Sequence, residues 1–228
     1  MIKKVFGALS VIVVLSGCQM NNQNEESTIE SSATTNESDN FGRGAISDGK
    51  DTNANEVPTK KLSNSAKSIV IYFSRSGHTE ELAKEISETT NSDILELQVK
   101  EPYPSNYEET LDRATYEREN ELYPELSTDI PDLTQYQTVI LGHPIWAMTL
   151  ANPMVTFIQK YEEELEGKVI TSFSTNAGYG SGNTFERLSE LLPQSKIEEV
   201  YTVEDRNAEK DRNAEKDKDN LKKWLSDL

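Results

Sequence analysis

The sequence predicts an α/β protein: one parallel sheet with helices on both faces. Three observations carry that reading. Residues 69–73 and 138–142 are apolar runs rich in β-branched side chains, as strands buried on both faces require. Each run is followed by apolar residues at helical spacing: Leu82, Ala83 and Ile86 after the first, and Val155, Phe157, Ile158 and Tyr161 after the second. From Ser68 onward five strand-like segments alternate with about five helix-like ones. That is how crossover connections build a single parallel sheet covered on both sides.

Ahead of this alternation the chain has a different character. Residues 1–17 read as an export signal, with Lys3 and Lys4 before an apolar run over 5–15 that is short for a membrane span. The run ends in Leu15-Ser16-Gly17-Cys18. This resembles the lipobox of bacterial lipoproteins, in which the cysteine is lipidated and becomes the mature N-terminus. Residues 18–66 read as that cysteine and a disordered tether. Asn, Ser, Thr, Asp and Glu dominate there, and Ile29, Phe41 and Ile46 stand alone, too few to offset the entropy of ordering. A coil of about 48 residues has a root-mean-square span of roughly 35–40 Å. Residues 67–228 read as the folded domain.

Within that domain the first strand and helix lead to an alternating segment over 93–99, stopped by Pro102 and Pro104. Tyr107, Leu111, Ala114 and Arg118 share a helical face, so 106–121 reads as a charged surface helix. After the strand over 138–142 and its helix comes a strand over 169–174, then a helix with Phe185, Leu188, Leu191 and Leu192. A last strand over 197–203 precedes a C-terminal helix carrying Leu221, Trp224, Leu225 and Leu228. Between these two, Arg206-Asn207-Ala208-Glu209-Lys210-Asp211 recurs at once over 212–217. A six-residue shift turns a helix by about 240°, so the copies share no face, and the repeat reads as a tolerated surface duplication.

Composition narrows the function. A net charge of −17 without basic clusters argues against nucleic acid and favours protein partners with positive patches. Cys18 is the only cysteine, so no intrachain disulfide or zinc–thiolate cluster can form. With His78 and His143 the only histidines, no metal site is expected. The sequence holds no Walker loop, no G-x-G-x-x-G and no G-x-S-x-G, which disfavours a nucleoside-triphosphate loop, a dinucleotide fold and a hydrolase.

In an open parallel sheet the ligand crevice lies beyond the carboxyl ends of the strands. Three loops fall there, over 74–79, 144–148 and 175–182. The first offers the hydroxyls of Ser74, Ser76 and Thr79, a glycine at 77 that permits close approach, and the amides of a helix N-terminus. It suits a phosphate, although such turns also serve helix capping alone. The second loop carries Trp146 and the third Tyr179 among glycines. They can sandwich a flat ring, or act as core filler and a generic loop. Together the three point to a phosphorylated aromatic cofactor.

The segments Tyr72-Phe73-Ser74-Arg75-Ser76-Gly77-His78-Thr79, Gly142-His143-Pro144-Ile145-Trp146 and Phe173-Ser174-Thr175-Asn176-Ala177-Gly178-Tyr179-Gly180-Ser181-Gly182 resemble the three FMN-binding loops of flavodoxin-like proteins. Pro102-Tyr103-Pro104, Tyr107 and Pro124-Glu125-Leu126 are similar to the secreted or lipoprotein branch of that family. The resemblance implies a three-layer α/β/α sandwich on a five-stranded parallel sheet in the order 2-1-3-4-5, with FMN bound non-covalently. By position Ser74, Ser76, Gly77, His78 and Thr79 would hold the phosphate. Trp146 and Tyr179 would flank the isoalloxazine, and Pro144, Ile145, Ala147, Thr175, Asn176, Ala177, Gly178 and Gly180 would complete the cofactor contacts. His78 stands where Asn is common, Ala147 where an aromatic or Gly is often seen, and Asn176-Ala177 in place of a Ser-Gly pair.

The function implied is a flavoprotein tethered through Cys18 to the extracytoplasmic face of a bacterial membrane, carrying electrons to a partner with a basic docking face or to a small acceptor such as a quinone. Alternatives are an FMN-dependent reductase of quinones or similar acceptors, and a lipoprotein that binds FMN or another phospho-ligand without redox turnover. If the protein is an enzyme, it is an FMN-dependent oxidoreductase.

Overall fold

A computed structural model describes residues 53–204 and 214–226. The chain enters through a 3-10 turn at Asn53–Asn55 and a two-residue strand β1 (Lys60–Lys61). The doubly wound part follows as β2 (Ser68–Tyr72), α1 (His78–Thr90), β3 (Asp93–Glu96), α2 (Tyr107–Glu119), β4 (Thr138–Trp146) and β5 (Thr149–Leu150). It continues as α3 (Asn152–Lys160), α4 (Glu162–Leu165), β6 (Val169–Asn176), α5 (Thr184–Leu191), β7 (Lys196–Ile197), β8 (Tyr201–Glu204) and α6 (Ala214–Ser226).

β3, β2, β4 and β6 lie side by side and parallel, with β7 and β8 both pairing to the outer side of β6. These strands keep the expected order 2-1-3-4-5, the fifth in two pieces. The sheet is mixed rather than five-stranded and all-parallel, because β1 adds antiparallel to β3 and β5 antiparallel to β4. Two apolar clusters flank the sheet. On one face Ile69, Ile71, Val139, Leu141 and Ile170 pack against α3 through Met154, Val155, Phe157 and Ile158, with Ala114 of α2 and Leu188 of α5. On the other, Val70, Tyr72, Ile140 and Phe173 pack against Ala83 and Ile86 of α1 and Leu221 and Trp224 of α6. Alternate side chains of each strand serve opposite clusters, which is why the strand sequences read as unbroken apolar runs.

The structure corrects three expectations. The fifth strand is not continuous over 197–203. Between the pairs Ile170–Ile197 and Phe173–Tyr201, two residues of β6 face three of the outer strand, a bulge. There the Glu199 carbonyl accepts from the Thr171 hydroxyl at 3.0 Å and the Trp224 indole N–H at 2.9 Å. Helix α2 turns Thr110, Ala114 and Glu117 inward, leaving Tyr107 and Leu111 exposed. Its buried face is polar because Glu117 is satisfied by Asn152 Nδ2 at 2.9 Å and by Arg113 at 2.7 Å. The tether, finally, does not run to residue 66. β1 pairs antiparallel with β3, and Ser63 N–H donates to the Asp93 carboxylate at 2.8 Å. The export signal, Cys18, most of the tether and the first hexapeptide copy lie outside the described residues.

Candidate functional site

The loops after β2, β4 and β6 emerge side by side because these three strands are neighbours. The loop after β2 is held from within. Ser74 is buried and its hydroxyl accepts the Gly77 amide at 3.1 Å. Gly77 then caps α1 with φ 96° and no side-chain cap, a conformation that favours glycine. His78 is therefore the first helical residue rather than a capping partner, and it is exposed, as is Ser76. An α-helix whose first turn lacks a side-chain cap presents donor amides and the positive end of its dipole to an anion.

Thr79 is buried, and its hydroxyl pairs at 2.9 Å with that of Thr175, which is buried at the end of β6. The pair ties the first loop to the third and uses one of two hydroxyl hydrogens. Of the three hydroxyls expected at a phosphate, two thus also pre-organise the loop, and Ser76 alone projects outward.

The second loop is a tight hairpin. Ile145 and Trp146 of β4 pair antiparallel with Leu150 and Thr149 of β5. The two residues between, Ala147 and Met148, have φ of 48° and 64°, the positive values that a two-residue turn of this kind demands. Neither residue is a glycine or asparagine, so each costs on the order of 1 kcal/mol. The third loop offsets that strain. Asn183 N–H donates to the Met148 carbonyl at 2.9 Å. A Cβ at Gly182 would come within 2.1 Å of that same oxygen, so only glycine admits the contact. Trp146, half-buried, meets Phe73 edge-on at a centroid distance of 5.6 Å and Tyr103 at 4.9 Å. It is packed from behind by aromatic edges, joining core packing and crevice in one side chain.

Asn176 organises the third loop. Its Oδ1 accepts the amides of Gly178 at 2.8 Å and Gly180 at 3.0 Å. Its Nδ2 donates to the Thr202 hydroxyl at 2.8 Å and the Val203 carbonyl at 3.0 Å. The carboxamide is fully used inside the protein, so Asn176 shapes the loop that displays Tyr179 rather than reaching outward. Tyr179 stands at the tip, about half exposed. Pro144 and Ile145 line the end of β4 half-buried, and Ala177 is half-buried at the base of the loop.

His143 is fully buried on β4, immediately before Pro144. Its Nδ1 lies 3.0 Å from the Pro144 carbonyl, which can only accept, so Nδ1 carries the proton and Nε2 can accept from Ser172 at 3.3 Å. Burial lowers its pKa to about 4 despite the Pro144 contact. It is a neutral structural residue. A second buried group, Glu80 in the first turn of α1, has no signature in the sequence. Desolvation raises its pKa most, but hydrogen bonds from Lys84, Thr59 and Asn53 outweigh that and hold it below the usual range.

A parallel sheet in this order, with a phosphate-type loop after its first strand and ring-type loops after its third and fourth, defines a flavodoxin-like protein. The flavodoxin family model matches residues 67–228, and the chain belongs to that family. Among solved structures it is similar to a flavoprotein of Lactobacillus acidophilus NCFM in complex with FMN, at 23% identity over 70% of this chain and 98% of that one, with a TM-score of 0.56. It is also similar to a protein of Bacteroides eggerthii DSM 20697 provisionally described as a flavoprotein, at 24% identity over 71% and 96% of the two chains, with a TM-score of 0.60. These likenesses bear on the fold. No curated protein matches the chain.

Proposed function

We propose that the protein binds FMN non-covalently at this crevice and carries electrons through it, held at the extracytoplasmic face of a bacterial membrane by a lipid on Cys18. The convergence of the three loops on adjacent strands carries the cofactor reading, and the donor set fits the group. The uncapped first turn of α1, with Ser76 beside it, would hold the phosphate. Trp146 and Tyr179 would flank the ring from loops locked together through Met148 and Asn183. FMN, when bound, supplies the redox chemistry. The chain contributes binding, orientation and a rim of exposed Met148, Tyr179 and Phe185. The sequence signal over residues 1–18 supports the anchor, and the net charge of −17 supports a partner with a basic docking face.

Adding FMN to the purified protein is expected to give flavin absorption bands that bleach on reduction and recover on reoxidation. Ser76→Ala combined with Thr79→Ala is expected to abolish FMN retention through gel filtration while leaving far-ultraviolet dichroism unchanged. Unaltered occupancy in that variant would exclude the phosphate assignment. In a membrane-fractionation experiment Cys18→Ala should move the protein from the membrane to the soluble fraction, and no redistribution would exclude the anchor. Rapid turnover of a quinone with a chemical reductant would favour the reductase alternative.

A further inference from the structure

The family match begins at residue 67, yet the chain just ahead of it reaches into the phosphate-type loop. Asn53 is buried and grips both ends of that loop. Its backbone N–H donates to the Arg75 carbonyl at 2.8 Å, and its Nδ2 donates to Glu80 Oε2 at 2.8 Å. Between these contacts lie Ser76, Gly77, His78 and Thr79. A Cβ at Gly77 would stand 3.8 Å from Asn53 Oδ1, so the carboxamide lies directly against the turn. Thr59 adds a second grip. Its hydroxyl donates to Glu80 Oε1 at 2.8 Å, its N–H donates to Glu96 Oε2 at 2.9 Å, and its carbonyl accepts the Glu96 amide at 2.9 Å.

Charge gives these contacts a purpose. Glu80 is in the first turn of α1, where a carboxylate suits the helix dipole but repels an anion bound at the same end. Asn53, Thr59 and Lys84 together surround it with donors, which fixes its two oxygens and offsets their charge. Without Asn53 and Thr59, the carboxylate would keep only the half-exposed Lys84 and could turn toward the site.

We propose that residues 53–61 form a brace of the cofactor site and that Asn53 and Thr59 are positioning residues for the phosphate of FMN. The inference rests on the cofactor reading above. It makes ordering of the brace and binding of the phosphate mutually reinforcing, since each favours the same loop conformation.

The test compares FMN with riboflavin, which lacks the phosphate, by fluorescence titration of the full chain. Asn53→Ala and Thr59→Val are each expected to weaken FMN about tenfold, the scale of one hydrogen bond to a charged group, while riboflavin affinity stays within about twofold. Thr59→Ser, which keeps the hydroxyl on Glu80, should restore wild-type FMN affinity. A role confined to stability would lower both affinities together, and that result, or no change in either, would overturn the brace. A wild-type chain that binds neither flavin would retire the cofactor reading and the brace with it.

Discussion

Gly142→Ala is expected to lower stability by about 3 kcal/mol, near the upper end for overpacking of a core. Gly142 of β4 lies opposite Phe173 of β6 in the parallel register. A Cβ on Gly142 would come within 2.2 Å of the Phe173 ring tip and within 2.7 Å of both flanking ring carbons. Phe173 is fully buried among Val70, Ile140 and Trp224 and has nowhere to retreat. The measurement is chemical denaturation of the apo-protein, read as a shift in midpoint at constant slope. The partner substitution Phe173→Leu creates a small cavity and destabilises alone. Combined with Gly142→Ala it should cost less than the sum, because the smaller side chain yields the space the methyl needs. Additive losses would show that the ring is not the obstacle.

The second large effect concerns acid. Burial holds His143 near a pKa of about 4, whereas an exposed histidine titrates near 6.5. Between these values the unfolded chain takes up a proton that the folded chain does not. Stability is then complete above about pH 6.5 and falls as pH drops through the window, by about 1.4 kcal/mol per unit and about 3 kcal/mol in all. Glu96 acts the other way, because burial raises its carboxyl in the folded state. The difference between wild type and His143→Gln isolates the histidine: denaturation midpoints should converge on acidification from pH 7 to pH 4. Parallel pH profiles for the two proteins would show that His143 does not govern this limb.

The parts of this molecule legible in its sequence are those where one physical signal dominates. Residues 69–73 and 138–142 are buried on both faces, so no polar residue interrupts them, and the three site loops follow from where such strands end. The packed face of α2 was not legible, because burial there is secured by ion pairs and hydrogen bonds around Glu117 that leave no apolar periodicity. The break in the fifth strand depends on Thr171 and Trp224, both distant in sequence from the Glu199 carbonyl they hold. The brace is illegible for a related reason. Asn53 and Thr59 sit in a stretch whose composition resembles a tether, and their contacts to Glu80 and Glu96 become visible only when the sheet brings those carboxylates beside them. The role of Asn176 was similarly hidden. In the sequence it reads only as a departure from the usual pair of residues, whereas its carboxamide bonds four ways inside the protein.

The lateral margins of the sheet bear on behaviour at high concentration. A parallel sheet ends on each side in a row of unsatisfied amides and carbonyls, which can recruit a strand from a neighbouring molecule. Beside β3 the row is covered by Lys60 and Lys61, whose charges resist any further strand. On the far side the bulge breaks the margin, among the described residues, into segments of two and four residues. Along these described margins, copies concentrated on a surface would thus meet two charged side chains and a broken strand, a property built from two lysines and one extra residue.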